Sequence, residues 1–296
     1  MLNILLVIFI GIIVVCYVFN GTYKYNETFV NDNKKIALCF LIYDKINHED
    51  IWFKWLNNID KNKYNIYIHY KENKKLKYFE EYKLKDTIET CWGCLSIVNA
   101  QLLILKEALK DKNNTHFIWL SQSCIPLKTF DYVYNYLNID KSYYNKSPDE
   151  QVLPRANKVL QYIKKENIKK HAMPSIICKK HAQLFVNNEK NINIWFKDIN
   201  NVDEIVFLTL LYHNNLQNEI IISDNIAAGA IIFAQWEDMV NYKHFNNSVV
   251  IKKSPYSYTH ISSEELDYLI KSKSLFGRKF ELGCTGLEKL PENLLS

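Results

Sequence analysis

Between residues 36 and 120, runs of buried-type apolar residues alternate with stretches of helical period, and this alternation restricts the chain to few architectures. Ile36-Ala37-Leu38-Cys39-Phe40-Leu41-Ile42 is continuously apolar and bounded by polar residues, the pattern of a strand covered on both faces. Between Asn47 and Ile59, the residues Ile51, Trp52, Trp55 and Leu56 recur at helical spacing. Tyr64 to His69 alternates and predicts a second strand. Ile97 to Leu109 is a helix with Leu102, Leu105, Ala108 and Leu109 on its inner side, and Phe117-Ile118-Trp119-Leu120 is a third buried strand. Strand, helix, strand, helix, strand in this order implies an α/β fold with a mostly parallel central sheet. Open sheets of that kind collect ligands beyond the carboxyl ends of their strands. That rule places His69 and the Ser121-Gln122-Ser123-Cys124 turn near a site, although a partly buried structural histidine fits His69 equally.

The second half is less periodic. Residues 71–85 are charged and read as a solvated connection; residues 138–170, with Asp149, Glu150, Arg155 and many lysines, read as an excursion over the site. Order resumes at Pro174 to Ile177, followed by a short helix from His181 to Val186. Ile220 to Ile222 and Ala230 to Phe233 are strands, and Trp236 follows the latter. Ser262 and Glu265 form a capping box that opens a helix with Leu266, Leu269 and Ile270 inside. Leu275 to Phe280 is a closing strand interrupted by Arg278 and Lys279, with period two setting Lys279 on the face opposite Phe276, Arg278 and Phe280. No repeat and no interdomain linker separates these elements, so residues 35–296 are expected to form one domain.

Val202-Asp203-Glu204-Ile205-Val206-Phe207-Leu208-Thr209-Leu210-Leu211 places two adjacent carboxylates at the head of an apolar run. Asp203 suits an N-cap and Glu204 then falls in the first turn, with Ile205, Leu208, Leu211 and Tyr212 facing the core. Such a carboxylate can serve as a general base, or it can simply suit the helix dipole.

Ile4 to Phe19 contains no charge; with Leu2 and Asn3 it would extend about 27 Å as a helix, close to the thickness of a bilayer core. The exit sequence Tyr17-Val18-Phe19-Asn20 lacks the small residues of a cleavage site, so residues 1–19 are expected to be an uncleaved signal-anchor and residues 20–34 a short stem. Glycosylation sequons start at Asn20, Asn26, Asn113, Asn145 and Asn246, some of them accidental in so asparagine-rich a chain. A net charge of +5, spread along the chain without a basic block, gives no support to nucleic-acid binding. Seven cysteines include Cys16 in the apolar run; the remaining six suit a disulfide-permissive compartment without fixing a pairing. Cys91-x-x-Cys94 has no second pair of similar spacing, which argues against structural zinc.

Four blocks, in order, resemble the core-2/I-branching β-1,6-N-acetylglucosaminyltransferases. They are Ile36 to His69; Trp92-Gly93 with Ser96-Ile97-Val98-Asn99-Ala100 and the Leu120-Ser121-x-x-Cys124-x-Pro126-Leu127 turn; Asp203-Glu204 with Phe207 and Thr209; and Leu275-Phe276-Gly277-Arg278-Lys279-Phe280. The resemblance covers roughly residues 35–290. It implies a GT-A-like nucleotide-sugar fold, a type II membrane protein of the Golgi or another secretory-pathway membrane, and transfer with inversion from a UDP-sugar to a glycan or glycoprotein. By the resemblance, Glu204 is the catalytic base, Lys279 contacts the donor diphosphate, and Trp236 lies at the acceptor sugar, where core filling is its alternative role. The family's upstream arginine has no direct match; Lys253 in Lys252-Lys253-Ser254-Pro255 is the nearest cation, across a gap.

The residue chemistry agrees. A departing UDP develops charge on phosphate oxygen, which many related enzymes offset with a metal on Asp-x-Asp. That motif is absent from the sequence, and Arg278, Lys279 and Lys253 are fixed cations that can substitute. No metal or other cofactor is therefore expected. N-acetylglucosamine is the expected donor sugar, with xylose the alternative within the family; a catalytically silent glycan-binding or structural membrane protein on the same fold is the competing function.

Overall fold

The computed structural model describes residues 34–148, 156–224, 231–235 and 255–295. The expected anchor and stem, Asp149, Glu150, Arg155, Trp236 and Lys253 lie outside these residues. Among the described residues no helix is long and apolar enough to cross a membrane.

The first half follows the expected order: β1 (Lys35–Ile42), α1 (Glu49–Leu56), β2 (Tyr64–Tyr70), α2 (Leu95–Ala108) and β3 (Asn114–Ser121). β1 is flanked in parallel by β2 and β3. The continuous apolar run of β1 is divided by the pleat: Ile36, Leu38 and Phe40 enter one core, and Ala37 and Cys39 the other. β3 splits likewise, with Ile118 and Leu120 on the first side and Phe117 and Trp119 on the second. Between β2 and α2, the charged connection is pinned rather than simply solvated. The Glu49 carboxylate accepts the amides of Lys77, Tyr78 and Phe79, while Leu76, Phe79 and Leu84 are buried.

The chain continues through β4 (Ile125–Pro126), α3 (Phe130–Tyr136), β5 (Ser142–Lys146), β6 (His171–Cys178), α4 (Lys179–Asn187), α5 (Glu189–Trp195), α6 (Val206–His213) and β7 (Ile220–Asp224). The main sheet has the order β2-β1-β3-β6-β5-β7. β6 runs antiparallel to both β3 and β5, while β5 and β7 are parallel, so the sheet is mixed although mostly parallel. Residues 138–170 are therefore not a simple excursion: they supply β5 to this sheet and bury Ala156, Val159, Ile163 and Ile168. Their lysine content hides short apolar segments whose partners are distant in sequence. The sequon at Asn145 belongs to this sheet as well. Asn145 is 2% exposed, and its side chain bonds Ile232 O, Ile231 N–H and Ser223, which leaves no room for a glycan.

β8 (Ile232–Ala234), β9 (Tyr258–His260), α7 (Ser263–Lys271), β10 (Phe276–Arg278) and β11 (Phe280–Thr285) complete the described chain. The capping box at α7 forms as read, with Ser262 Oγ accepting the Glu265 amide and Glu265 Oε2 accepting the Ser262 amide. The closing segment is not one strand. β10 lies between β4 and β8, β11 pairs with β9, and Lys279 sits at the break. Strand alternation through Lys279 therefore does not hold.

Candidate active site

The Asp-Glu stretch does not begin as an α-helix. Asn201 adopts a left-handed backbone (φ 52°), Val202–Glu204 is a single 3-10 turn, and α6 starts only at Val206. Asp203 is thus not an N-cap. The Glu204 amide donates to Asn201 O at 3.1 Å and the Ile205 amide to Val202 O at 3.0 Å, which fixes both carboxylates on a tight turn above the apolar α6. Ile205, Val206, Phe207 and Leu208 are fully buried below it, with Phe207 stacked against Trp119 of β3.

Three other segments converge on this turn. The first is Trp92-Gly93. The Asn201 amide donates to Gly93 O at 2.8 Å, and Gly93 has a φ of +71°. A Cβ there would stand 2.6 Å from Asn201 Oδ1, so both conformation and space require glycine. Cys91 and Cys94, on either side, are joined by a disulfide. This identifies the Cys-x-x-Cys pair, while Cys39, Cys124, Cys178 and Cys284 are free and buried.

The second is Lys169-Lys170, just before β6. Thr209 of α6 accepts the Lys169 amide at 2.9 Å and donates to Lys169 O at 3.1 Å. This two-way bond brings Lys170 Nζ to 3.6 Å from Glu204 Oε2. Lys170 belongs to a lysine-rich stretch with no motif around it. Thr209, an isolated polar residue on a buried helix face, is the one sequence signal that could have pointed there.

The third is Arg278-Lys279. The Lys279 carbonyl accepts the Tyr258 amide at 2.8 Å, the Phe280 amide donates to Ser123 O at 2.9 Å, and Asn47 Nδ2 donates to Phe280 O at 2.9 Å. Trp52 of α1 stacks on Phe276 and donates to Cys124 O at 2.9 Å. The two cations are thereby tied to the turn that follows β3, at the carboxyl end of the parallel strands.

The electrostatics join these pieces. Burial, and next the neighbouring Glu204 charge, push the Asp203 carboxyl up to about 6, against the pull of the backbone amides of Asp203 and Glu204 and of the Arg278 guanidinium. Burial and the adjacent Arg278 charge lower the Lys279 ammonium, partly offset by Glu281. The structure therefore brings Lys170 to Glu204 and Arg278 within electrostatic reach of Asp203, while Lys279 is shown beside Arg278 and Glu281 only. The Arg278 guanidinium acts on the Asp203 carboxylate.

His69 lies inside the fold. It is 1% exposed, its Nε2 accepts the Ile88 amide at 2.9 Å, and burial pushes it down to about 4, so it is neutral. It anchors the segment that leads to Trp92.

Residues 36–266 match the family model described as Core-2/I-Branching enzyme. The chain is similar to a glycosyltransferase of rice, Oryza sativa subsp. japonica, named BC10, with 24% identity over 166 residues that span 53% of this chain and 42% of the relative. Less than half of the relative's own length is thus matched. Among solved structures, an active-site mutant of LgtC aligns with a TM-score of 0.42 and 7% identity, covering 82% of this chain and 86% of that one. The galactosyltransferase LgtC with donor and acceptor sugar analogues aligns with a TM-score of 0.40 and 8% identity over the same shares. The family match covers most of the chain and includes Trp92-Gly93, the Ser121–Cys124 turn and Asp203-Glu204: the protein belongs to the core-2/I-branching enzyme family.

Proposed function

We propose that this chain is an inverting, metal-independent glycosyltransferase with a GT-A-like nucleotide-sugar fold. It moves a sugar, N-acetylglucosamine in the first instance, from a UDP-sugar to a hydroxyl of a glycan or glycoprotein. The observation that carries this reading is the Asp203-Glu204 turn, with Lys170 at 3.6 Å from Glu204 and the Arg278 guanidinium acting on the adjacent Asp203, next in sequence to Lys279. It supplies a base and fixed cations at the end of a parallel sheet, where nucleotide-sugar chemistry needs both.

Glu204 takes the proton of the acceptor hydroxyl, and the hydroxyl oxygen bonds to the anomeric carbon from the face opposite UDP. The bond from that carbon to the β-phosphate oxygen breaks with its electron pair, and UDP leaves. Lys279 and Arg278 face the charge that develops on the diphosphate, with Lys253 as a further cation, in the role a metal has in enzymes that carry Asp-x-Asp. Lys170 orients the Glu204 carboxylate. Trp236 packs on the acceptor, and residues 1–19 anchor the domain on the luminal side of a secretory-pathway membrane.

UDP release by the full chain, from UDP-N-acetylglucosamine and UDP-xylose with and without EDTA, tests the reading. Release that persists in EDTA and is faster with UDP-N-acetylglucosamine is expected. No release from any donor, or loss on chelation with recovery in manganese, contradicts it.

A further inference from the structure

We infer that Trp92 is a second platform, besides Trp236, on which a further sugar ring of the acceptor stacks; this rests on the transferase reading above. Trp92 is 87% exposed, the most exposed large apolar side chain among the described residues, and no ring contact engages its indole there. An indole left open to water forgoes the burial that tryptophan residues ordinarily have, and both of its faces stay accessible to a ligand.

The turn beneath it is held at several points. The Cys91–Cys94 disulfide closes it, the Cys91 amide donates to Ser96 Oγ at 3.1 Å, and the Cys94 amide donates to Cys91 O at 3.2 Å. Gly93 then ties it to Asn201, whose carbonyl takes the amide of Glu204. Two hydrogen bonds and one residue thus link the Trp92 turn to the backbone of the base. An aromatic face on a turn bonded to the turn that carries the general base suits the molecule that surrenders a proton to that base, which is the acceptor.

The chemistry fits a pyranose. One ring face presents C–H bonds, which pack against the negative face of an indole, while the hydroxyl edges stay in water. Specificity then comes from which hydroxyl of the acceptor the stacked ring brings to the base. A flat nucleobase could stack on the same indole, so the test separates the two.

The full chain, Trp92→Phe and Trp92→Ala are compared in binding to an array of neutral oligosaccharides and, by calorimetry, in binding UDP. The exposed side chain leaves the core intact when removed. Trp92→Ala should weaken glycan binding about tenfold or more, Trp92→Phe about threefold or less, and UDP affinity should stay within about twofold in both. Equal glycan binding by Trp92→Ala and wild type, or no glycan bound by wild type, overturns the inference. Loss of UDP affinity matching the loss of glycan affinity also overturns it and assigns the indole to the nucleobase. Parallel transfer assays keep the two readings apart. Trp92-dependent glycan binding without transfer from any donor leaves the platform standing and removes the transferase; transfer with an acceptor KM untouched in Trp92→Ala does the reverse.

Discussion

At the scale of single residues, Asp203 is a carboxyl whose ionisation the fold alters strongly. Its carboxyl is pushed up to about 6 by burial and by Glu204, so in the folded chain it binds a proton at pH values where the unfolded chain has released it. Stability from this group is present below the unfolded value near 4 and is lost as pH rises through about 6. Asp203→Asn removes the ionisation while keeping an oxygen for the backbone amides. It should raise the unfolding free energy at pH 7.5 by about 1–2 kcal/mol, after allowance for the partial exposure of the residue, and change it little at pH 4. Urea unfolding at the two pH values checks this; an equal effect at both would mean that Asp203 is not destabilised by its charge. Glu204 has a different environment because Lys170 Nζ stands 3.6 Å from its carboxylate.

Secondary-structure elements show where the sequence was legible and where it was not. β1, α1, β2, α2 and β3 were readable because local periodicity and burial agree there: the β1 and β3 runs divide between the two cores, α1 packs on one core and α2 on the other. The capping box at Ser262 was readable because the interaction is local, between residues three apart. β5 was not, since Ser142-Tyr143-Tyr144-Asn145-Lys146 is polar in sequence and becomes a strand only through β6 and β7. Asp203-Glu204 and Arg278-Lys279 stand out in the sequence as family-like motifs, whereas Lys170 is brought to Glu204 by a bond between Thr209 and Lys169, forty positions apart. The Asp-Glu helix start was misplaced because Asn201 takes a left-handed conformation, with its amide bonded to Gly93 O far away in sequence. That contact gives its own prediction. Gly93→Ala places a Cβ against Asn201 in a backbone region unfavourable to alanine, and should cost about 2 kcal/mol or more in stability. It should also lower transfer by disturbing the turn that carries Glu204. Thermal unfolding and UDP release read the two effects, and wild-type values in both would show that the turn adapts freely.

Across the whole molecule, several histidines are buried in the neutral form. His69, His116 and His171 are all pushed down to about 4, chiefly by burial. Each folded-state value is depressed, so each favours the unfolded chain as pH falls below about 6.5, and the loss grows until about 4. Asp203 works in the opposite direction over much of that window, with one proton against three. Stability should therefore fall between pH 7 and pH 5, each histidine contributing up to about 2 kcal/mol and Asp203 returning roughly 1 kcal/mol. Denaturant unfolding across this range measures it, and a flat or rising profile toward acid would show that the histidines are not held neutral. The same two-sided core that buries these rings also fixes the sheet whose carboxyl ends carry the site.

The central claim is that Glu204 is the base of a sugar transfer, and its most direct test is Glu204→Gln in the full chain. The substitution is nearly isosteric on a turn fixed by backbone hydrogen bonds, so UDP binding by calorimetry and the unfolding temperature should match wild type. Transfer from the UDP-sugar should fall by about 10²–10⁴-fold. Wild-type-like turnover in Glu204→Gln, with the same donor and in the presence of EDTA, would contradict the assignment.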